Sequence, residues 1–184
     1  NCIAQVLSLV EKGKEWQEAI EMMEEYIEKH GKKLIEYATN FIPENATIYT
    51  HCHSNTVERI LKSIKDKNIT VFVTETRPLF QGRITAERLA KEGIKVVLGV
   101  DSNARNFIRK ADMFLFGADA VTSSGDVINK IGTGMFAELA QKYGVPCYSA
   151  TISLKYDPIT KYGFKEIIEE RSAKEIWNKK IKNL

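Results

Sequence analysis

The 184-residue sequence has no apolar run of membrane-spanning length, and it is poor in cysteine, histidine and proline, with three, three and four of each. The missing run excludes a transmembrane helix, and the first ten residues lack the basic start and cleavage pattern of a secretory signal. Cys2, Cys52 and Cys147 are odd in number and show no C-x-x-C spacing. Neither a disulfide framework nor a zinc ribbon is expected, and a reducing, cytoplasmic compartment is. Charge of one sign is also scarce: 27 Lys and Arg stand against 24 Asp and Glu, a net charge of +3. The lysines are spread along helical stretches rather than massed with aromatics, so neither nucleic acid nor a membrane is an expected partner. What is present, 43% hydrophobic and 28% charged residues, suits one globular core with a short appended element.

From Lys14 to Ile42 the apolar residues Trp16, Ile20, Met23, Ile27, Leu34, Ala38 and Phe41 recur at threes and fours, opposite Glu18, Glu21, Glu25 and Glu28. This period predicts a long amphipathic helix, or two joined near Gly31. After Pro43 the texture changes. Ala46–Thr50, Ile69–Glu75, Lys95–Val100, Met113–Phe116 and Val145–Ala150 read as strands, and helical patterns fill Val57–Lys67, Thr85–Glu92, Ala104–Lys110 and Met135–Tyr143. Such alternation predicts an α/β fold: a doubly wound, mostly parallel, Rossmann-like sheet whose apolar strands are covered on both faces. The turn signal Ser123-Ser124-Gly125-Asp126, inside Val121–Ile128, adds an inserted β-hairpin. The chain divides into a helical segment at 1–42 and the sheet domain at 43–184.

In an open parallel sheet ligands bind beyond the carboxyl ends of the strands. The expected strands end in His51-Cys52-His53-Ser54, Thr74-Glu75-Thr76-Arg77, Asp101-Ser102-Asn103 and Gly117-Ala118-Asp119. Acid, base and nucleophile types thus converge on one rim. Cys52 precedes a helix start flanked by Ser54 and Thr56 and lies between two imidazoles, which predicts a favoured thiolate. Cys147, inside a strand, reads as a buried, inert thiol. No metal is expected, because adjacent strand residues point to opposite faces and His30 is the remaining imidazole. Gly132-Thr133-Gly134-Met135-Phe136-Ala137 matches a G-x-G-x-x-A fingerprint, but the next strand runs into Ser149-Ala150-Thr151 without the acidic ribose clamp, so no dinucleotide cofactor is expected. A glycine-rich helix start able to hold phosphate remains, with Asn129 and Lys130 just ahead of it.

Four ordered segments carry a family resemblance: Thr50-His51-Cys52-His53-Ser54, the run from Thr74 to Arg83, Gly117-Ala118-Asp119-Ala120-Val121 and Ile128-Asn129-Lys130-Ile131-Gly132-Thr133. They resemble the superfamily of archaeal ribose-1,5-bisphosphate isomerases, methylthioribose-1-phosphate isomerases and regulatory subunits of translation initiation factor 2B. The isomerases carry both the cysteine and the aspartate, so the resemblance favours the enzyme branch. The run Ile152-Ser153-Leu154-Lys155-Tyr156-Asp157-Pro158 is similar to the ribose-1,5-bisphosphate isomerases, and His53 stands where isomerases more usually have asparagine. The resemblance implies an aldose–ketose isomerase acting on a phosphorylated pentose. Cys52 and Asp119 would be catalytic, and Ser54, Asn129, Lys130 and Lys155 would bind substrate. It further implies a homodimer or larger homo-oligomer, and makes residues 1–42 the remnant of an N-terminal helical domain. Two alternatives stay open: a factor-like regulatory subunit that binds a sugar phosphate or nucleotide without turnover, and a methylthioribose-1-phosphate isomerase.

Overall fold

The structure is a computed structural model that describes residues 2–179. Two helices lead, α1 (Cys2–Glu11) and α2 (Trp16–Phe41). The periodicity did not single out α1. The second helix is continuous through Gly31, because one interior glycine costs about 1 kcal/mol without breaking a helix; a Cβ there would stand 3.1 Å from the Arg59 guanidinium, which bonds Glu28. Leu34, Ile35 and Ala38 pack on the core, whereas Trp16, Ile20 and Tyr37 stay exposed. Lys67 ends the helix by donating to the carbonyls of Thr39 and Ile42.

The sheet domain then runs β1 (Thr47–Thr50), α3 (Asn55–Ser63), β2 (Thr70–Thr74), α4 (Gln81–Lys91), β3 (Lys95–Gly99), α5 (Ala104–Ile108) and β4 (Met113–Phe116). The hairpin β5 (Ala120–Val121) and β6 (Val127–Ile128) follows, then α6 (Thr133–Lys142) and β7 (Cys147–Ser149). The five-stranded sheet has the order β3-β2-β1-β4-β7, with every pair parallel, and β5 pairs β6 antiparallel. The expected fold class and inserted hairpin are therefore present.

Period-two alternation sorts the core into two faces. Ile48, Val71, Met113 and Leu115 join Ile60, Leu61 and Leu89 of α3 and α4 in an aliphatic cluster. Tyr49, Phe114 and Phe116 join Phe107 and Ile108 of α5 and Phe136 of α6 in an aromatic one. Helices cover both faces, as a doubly wound sheet requires. The expected cover fails at the edges. On β3 and just past it, Val97, Leu98 and Val100 are 37%, 47% and 53% exposed, and Cys147 on β7 is exposed. A near-continuous apolar run records hydrophobic composition, not whether a strand has neighbours on both sides, and these two strands have one each.

Candidate functional site

From β1 the chain order runs outward through β2 to β3 on one side and through β4 to β7 on the other. The gap between the β1 and β4 ends is thus the topological switch point, where an open α/β sheet offers a ligand crevice. Cys52 follows β1 and Asp119 follows β4, one on each wall.

Two contacts tie these walls together, and a third folds the hairpin back onto the β4 wall. A Cβ on Gly117 would lie 2.6 Å from Ser54 Oγ, so only glycine permits the β4 loop to approach the β1 loop this closely. His51 Nε2 donates to the Ile131 carbonyl at 3.0 Å, tying the end of β1 to the loop that starts α6. Asp119 N–H donates to the Ile128 carbonyl at 2.8 Å. The hairpin therefore doubles back and delivers Asn129 and Lys130 beside Asp119. Asn129 Nδ2 donates to Thr133 Oγ1 at 3.1 Å, and Thr133 Oγ1 donates to the Lys130 carbonyl at 2.7 Å, which fixes the turn ahead of the helix capped by Gly132.

The environment of Cys52 differs from the expected one. The N-cap of α3 is Ser54, as expected, and its hydroxyl accepts from Val57 N–H, which leaves Cys52 two residues ahead of the cap. Both imidazoles are engaged elsewhere. His51 is buried against Phe136 and faces the Thr74 and Thr76 hydroxyls; His53 contacts Thr85 and Asn55. Burial is the largest influence on the Cys52 thiol and pushes its pKa up. The His53 backbone N–H and the Lys130 ammonium oppose the rise, and the Asp119 carboxylate adds to it. The thiol is therefore mainly protonated near neutral pH, not an activated thiolate. The influence of Lys130 and Asp119 on this one sulfur also places the three groups within electrostatic reach. Burial likewise lowers the His51 pKa, keeping that ring neutral. The burial expected of Cys147 is corrected too, because its edge strand leaves the residue exposed, although partial desolvation still raises its thiol pKa.

Bonding separates structural rim groups from available ones. Glu75 pairs with Arg83, and Asp101 accepts from the Thr76 and Arg77 N–H groups at 2.9 and 2.7 Å. The carboxylate of Asp119 and the ammonium of Lys130 have no hydrogen-bond or ion-pair partner among the described residues. Lys155 lies on a 3-10 turn (Ser153–Lys155) whose following residues Tyr156 and Asp157 pair with Val121 of β5, the strand that follows Asp119. One residue that the sequence reading passed over stands out: Gln81 opens α4 with its side-chain oxygen buried and without a donor among the described residues. Only its place in the Thr74–Arg83 segment could have drawn attention to it.

Among the described residues no group of three His, Cys, Asp or Glu is placed to hold a metal, and no helix is long and apolar enough to cross a membrane. A cavity of about 490 Å³ lies between α1, α2 and residues 153–158, lined by Leu9, Met22, Met23 and Tyr26 among others. It includes none of the candidate site residues, so chemistry rather than volume locates the site.

The sequence model of the initiation factor 2 subunit family matches residues 6–184. The ribose 1,5-bisphosphate isomerase of Methanocaldococcus jannaschii is 38% identical over 181 residues, covering 96% of this chain and 59% of the relative. Among solved structures, the 5-methylthioribose 1-phosphate isomerase of Pyrococcus horikoshii superposes with a TM-score of 0.73 at 26% identity, over 94% of this chain and 55% of that one. The translation initiation factor eIF-2B of the same organism gives 0.72 at 27% identity, over 78% and 54%. The chain thus spans little more than half the length of each.

Proposed function

The chain belongs to the initiation factor 2 subunit family, and from that premise we propose that it carries the sheet half of an aldose–ketose isomerase for a phosphorylated pentose, ribose 1,5-bisphosphate to ribulose 1,5-bisphosphate. The observation behind this reading is the pairing, across the switch-point crevice, of a protonated thiol on Cys52 with an unpartnered carboxylate on Asp119, beside the unpartnered cation of Lys130. Similarity to an isomerase of that name over most of the chain supports the choice of substrate.

The reaction opens the sugar ring and moves hydrogen between C2 and C1, with no net gain or loss of protons. A thiol that starts protonated acts first as an acid, giving its proton to the ring oxygen as the C1–O bond breaks. Asp119 takes the C2 hydroxyl proton as the C2 carbonyl forms. The C2 hydrogen reaches C1 either as a hydride or by way of an enol, in which case the Cys52 thiolate takes the C2–H proton and returns it to C1. The proton gained by Asp119 passes through solvent to the Cys52 thiolate, which restores both groups before the next cycle. Lys130, Asn129 and the N-terminus of α6 hold a phosphate, where exposed N–H groups and a cation favour an anion. We assign Ser54 and Lys155 to the outer contacts of the substrate, and residues 1–42 to a helical segment whose second half packs on the sheet domain. The protein is expected to work as a homo-oligomer in the cytoplasm.

Phosphorus NMR of the protein with ribose 1,5-bisphosphate tests the reading: resonances of ribulose 1,5-bisphosphate should grow in. Saturable binding without conversion would replace it with the factor-like regulatory reading, to which the likeness to eIF-2B belongs. Conversion of methylthioribose 1-phosphate alone would move the substrate and keep the site.

A further inference from the structure

We propose that Thr76 and Thr85 are positioning residues that pin both backbone polar groups of Cys52 and so aim its thiol into the crevice; the inference rests on the role given to Cys52 above. Cys52 has φ 69°, a left-handed conformation unfavourable to any side chain bearing a Cβ. It lies past the end of β1, and neither its N–H nor its C=O takes part in the backbone pairing recorded there. Two side chains take over. Cys52 N–H donates to Thr76 Oγ1 at 2.9 Å, and Thr85 Oγ1 donates to the Cys52 carbonyl at 2.9 Å.

Each hydroxyl has one proton, and the geometry allots it. Thr76 directs its proton to the Thr74 carbonyl at 3.1 Å or to the His51 Nδ1 lone pair at 3.3 Å, and either way turns a lone pair toward Cys52 N–H. Thr85 gives its proton to Cys52, and its lone pair faces His53 Nδ1 at 3.1 Å. Thr76 is itself left-handed, with φ 62°, and is held there by Asp101 through its own N–H. The two threonines come from different elements, the loop after β2 and the helix α4, and are 0% and 2% exposed. Water therefore cannot substitute for either hydroxyl. An unfavourable backbone angle over-determined from two sides is the pattern of a conformation kept for its side-chain direction.

Turnover and thiol labelling in Thr76→Val, Thr85→Val and the two Ser variants test this. Removing the Thr76 hydroxyl should lower kcat by about 100-fold with little change in KM, since a reacting group displaced by an ångström loses on that order. Thr85→Val should act in the same direction, and it carries the test if Thr76→Val does not fold. Both Ser variants should restore most of the rate, because they keep the hydroxyl. The second readout needs no turnover: the rate of Cys52 alkylation by iodoacetamide, measured against Cys147 in the same molecules. In the Val variants the released Cys52 should label several-fold faster, with Cys147 unchanged. Val variants that only melt earlier, with wild-type kcat and an unaltered Cys52 to Cys147 ratio, would overturn the inference. A wild-type protein that converts no substrate would sink the isomerase reading and leave labelling to decide the positioning one.

Discussion

The loops after β1 and β4 face each other across one crevice and are prepared in opposite ways. The β1 loop is fastened: Cys52 is half-buried, both its backbone groups are bonded to side chains, and its thiol is kept protonated by its surroundings. The β4 loop is open: Asp119 is exposed, held through its backbone to Ile128, with its carboxylate unpartnered. Under the proposed roles, the contrast gives the acid a fixed direction and a dry setting and leaves the base a carboxylate free to act. A buried, bonded aspartate would have looked structural, and a free, exposed cysteine would have looked like Cys147.

The largest effect should come from deleting the fastened side. Cys52→Ala is expected to lower kcat between about 100- and 10,000-fold, the range for loss of a general acid, with a melting temperature close to wild type. Steady-state kinetics read this directly, and residual turnover near the wild-type rate would break the comparison. Next comes the cation in the turn ahead of α6. Lys130→Ala should raise KM by about tenfold and leave kcat within a factor of about two, as expected when ground state and transition state lose the same phosphate contact. A fall confined to kcat would instead make Lys130 part of the chemistry.

The smallest expected effect concerns the strut beneath the fastened loop. Burial depresses the pKa of His51 in the folded protein below its ordinary value. Between the two values the unfolded chain binds more protons than the folded one, so stability rises with pH through that window. The contribution is complete above about pH 6.5, the ordinary histidine value, and is lost as pH falls below it. Thermal melts from pH 7.5 downward should show this decline, and His51→Gln should flatten it. An identical pH dependence in the variant would remove His51 as its source.

Much of the architecture was legible in sequence because it rests on local rules. The strands at Met113–Phe116 and Lys95–Gly99 follow β-branched or aromatic runs, and the hairpin follows Ser123-Ser124-Gly125-Asp126. The rim was legible because position beyond a strand end is enough to place a loop. Sheet order was not. An apolar run gives no sign of whether a strand lies at the centre or the edge, so Cys147 and Leu98 emerged exposed. The setting of Cys52 was not legible either, because burial raises its thiol pKa and the side chains that bond its backbone, Thr76 and Thr85, lie 24 and 33 residues away in sequence. No local pattern announces a hydroxyl that arrives from another loop.

Cys52 and Asp119 are proposed as a reacting pair, and Asp119→Asn probes that most directly, since the amide keeps the shape and removes the base. Turnover of ribose 1,5-bisphosphate and a thermal melt should be measured on the same preparation. The expected result is an unchanged melting temperature, because the Asp119 carboxylate bonds to no described residue, with kcat reduced at least about 100-fold. A variant that melts earlier yet turns over at the wild-type rate would contradict the account and make Asp119 a structural residue.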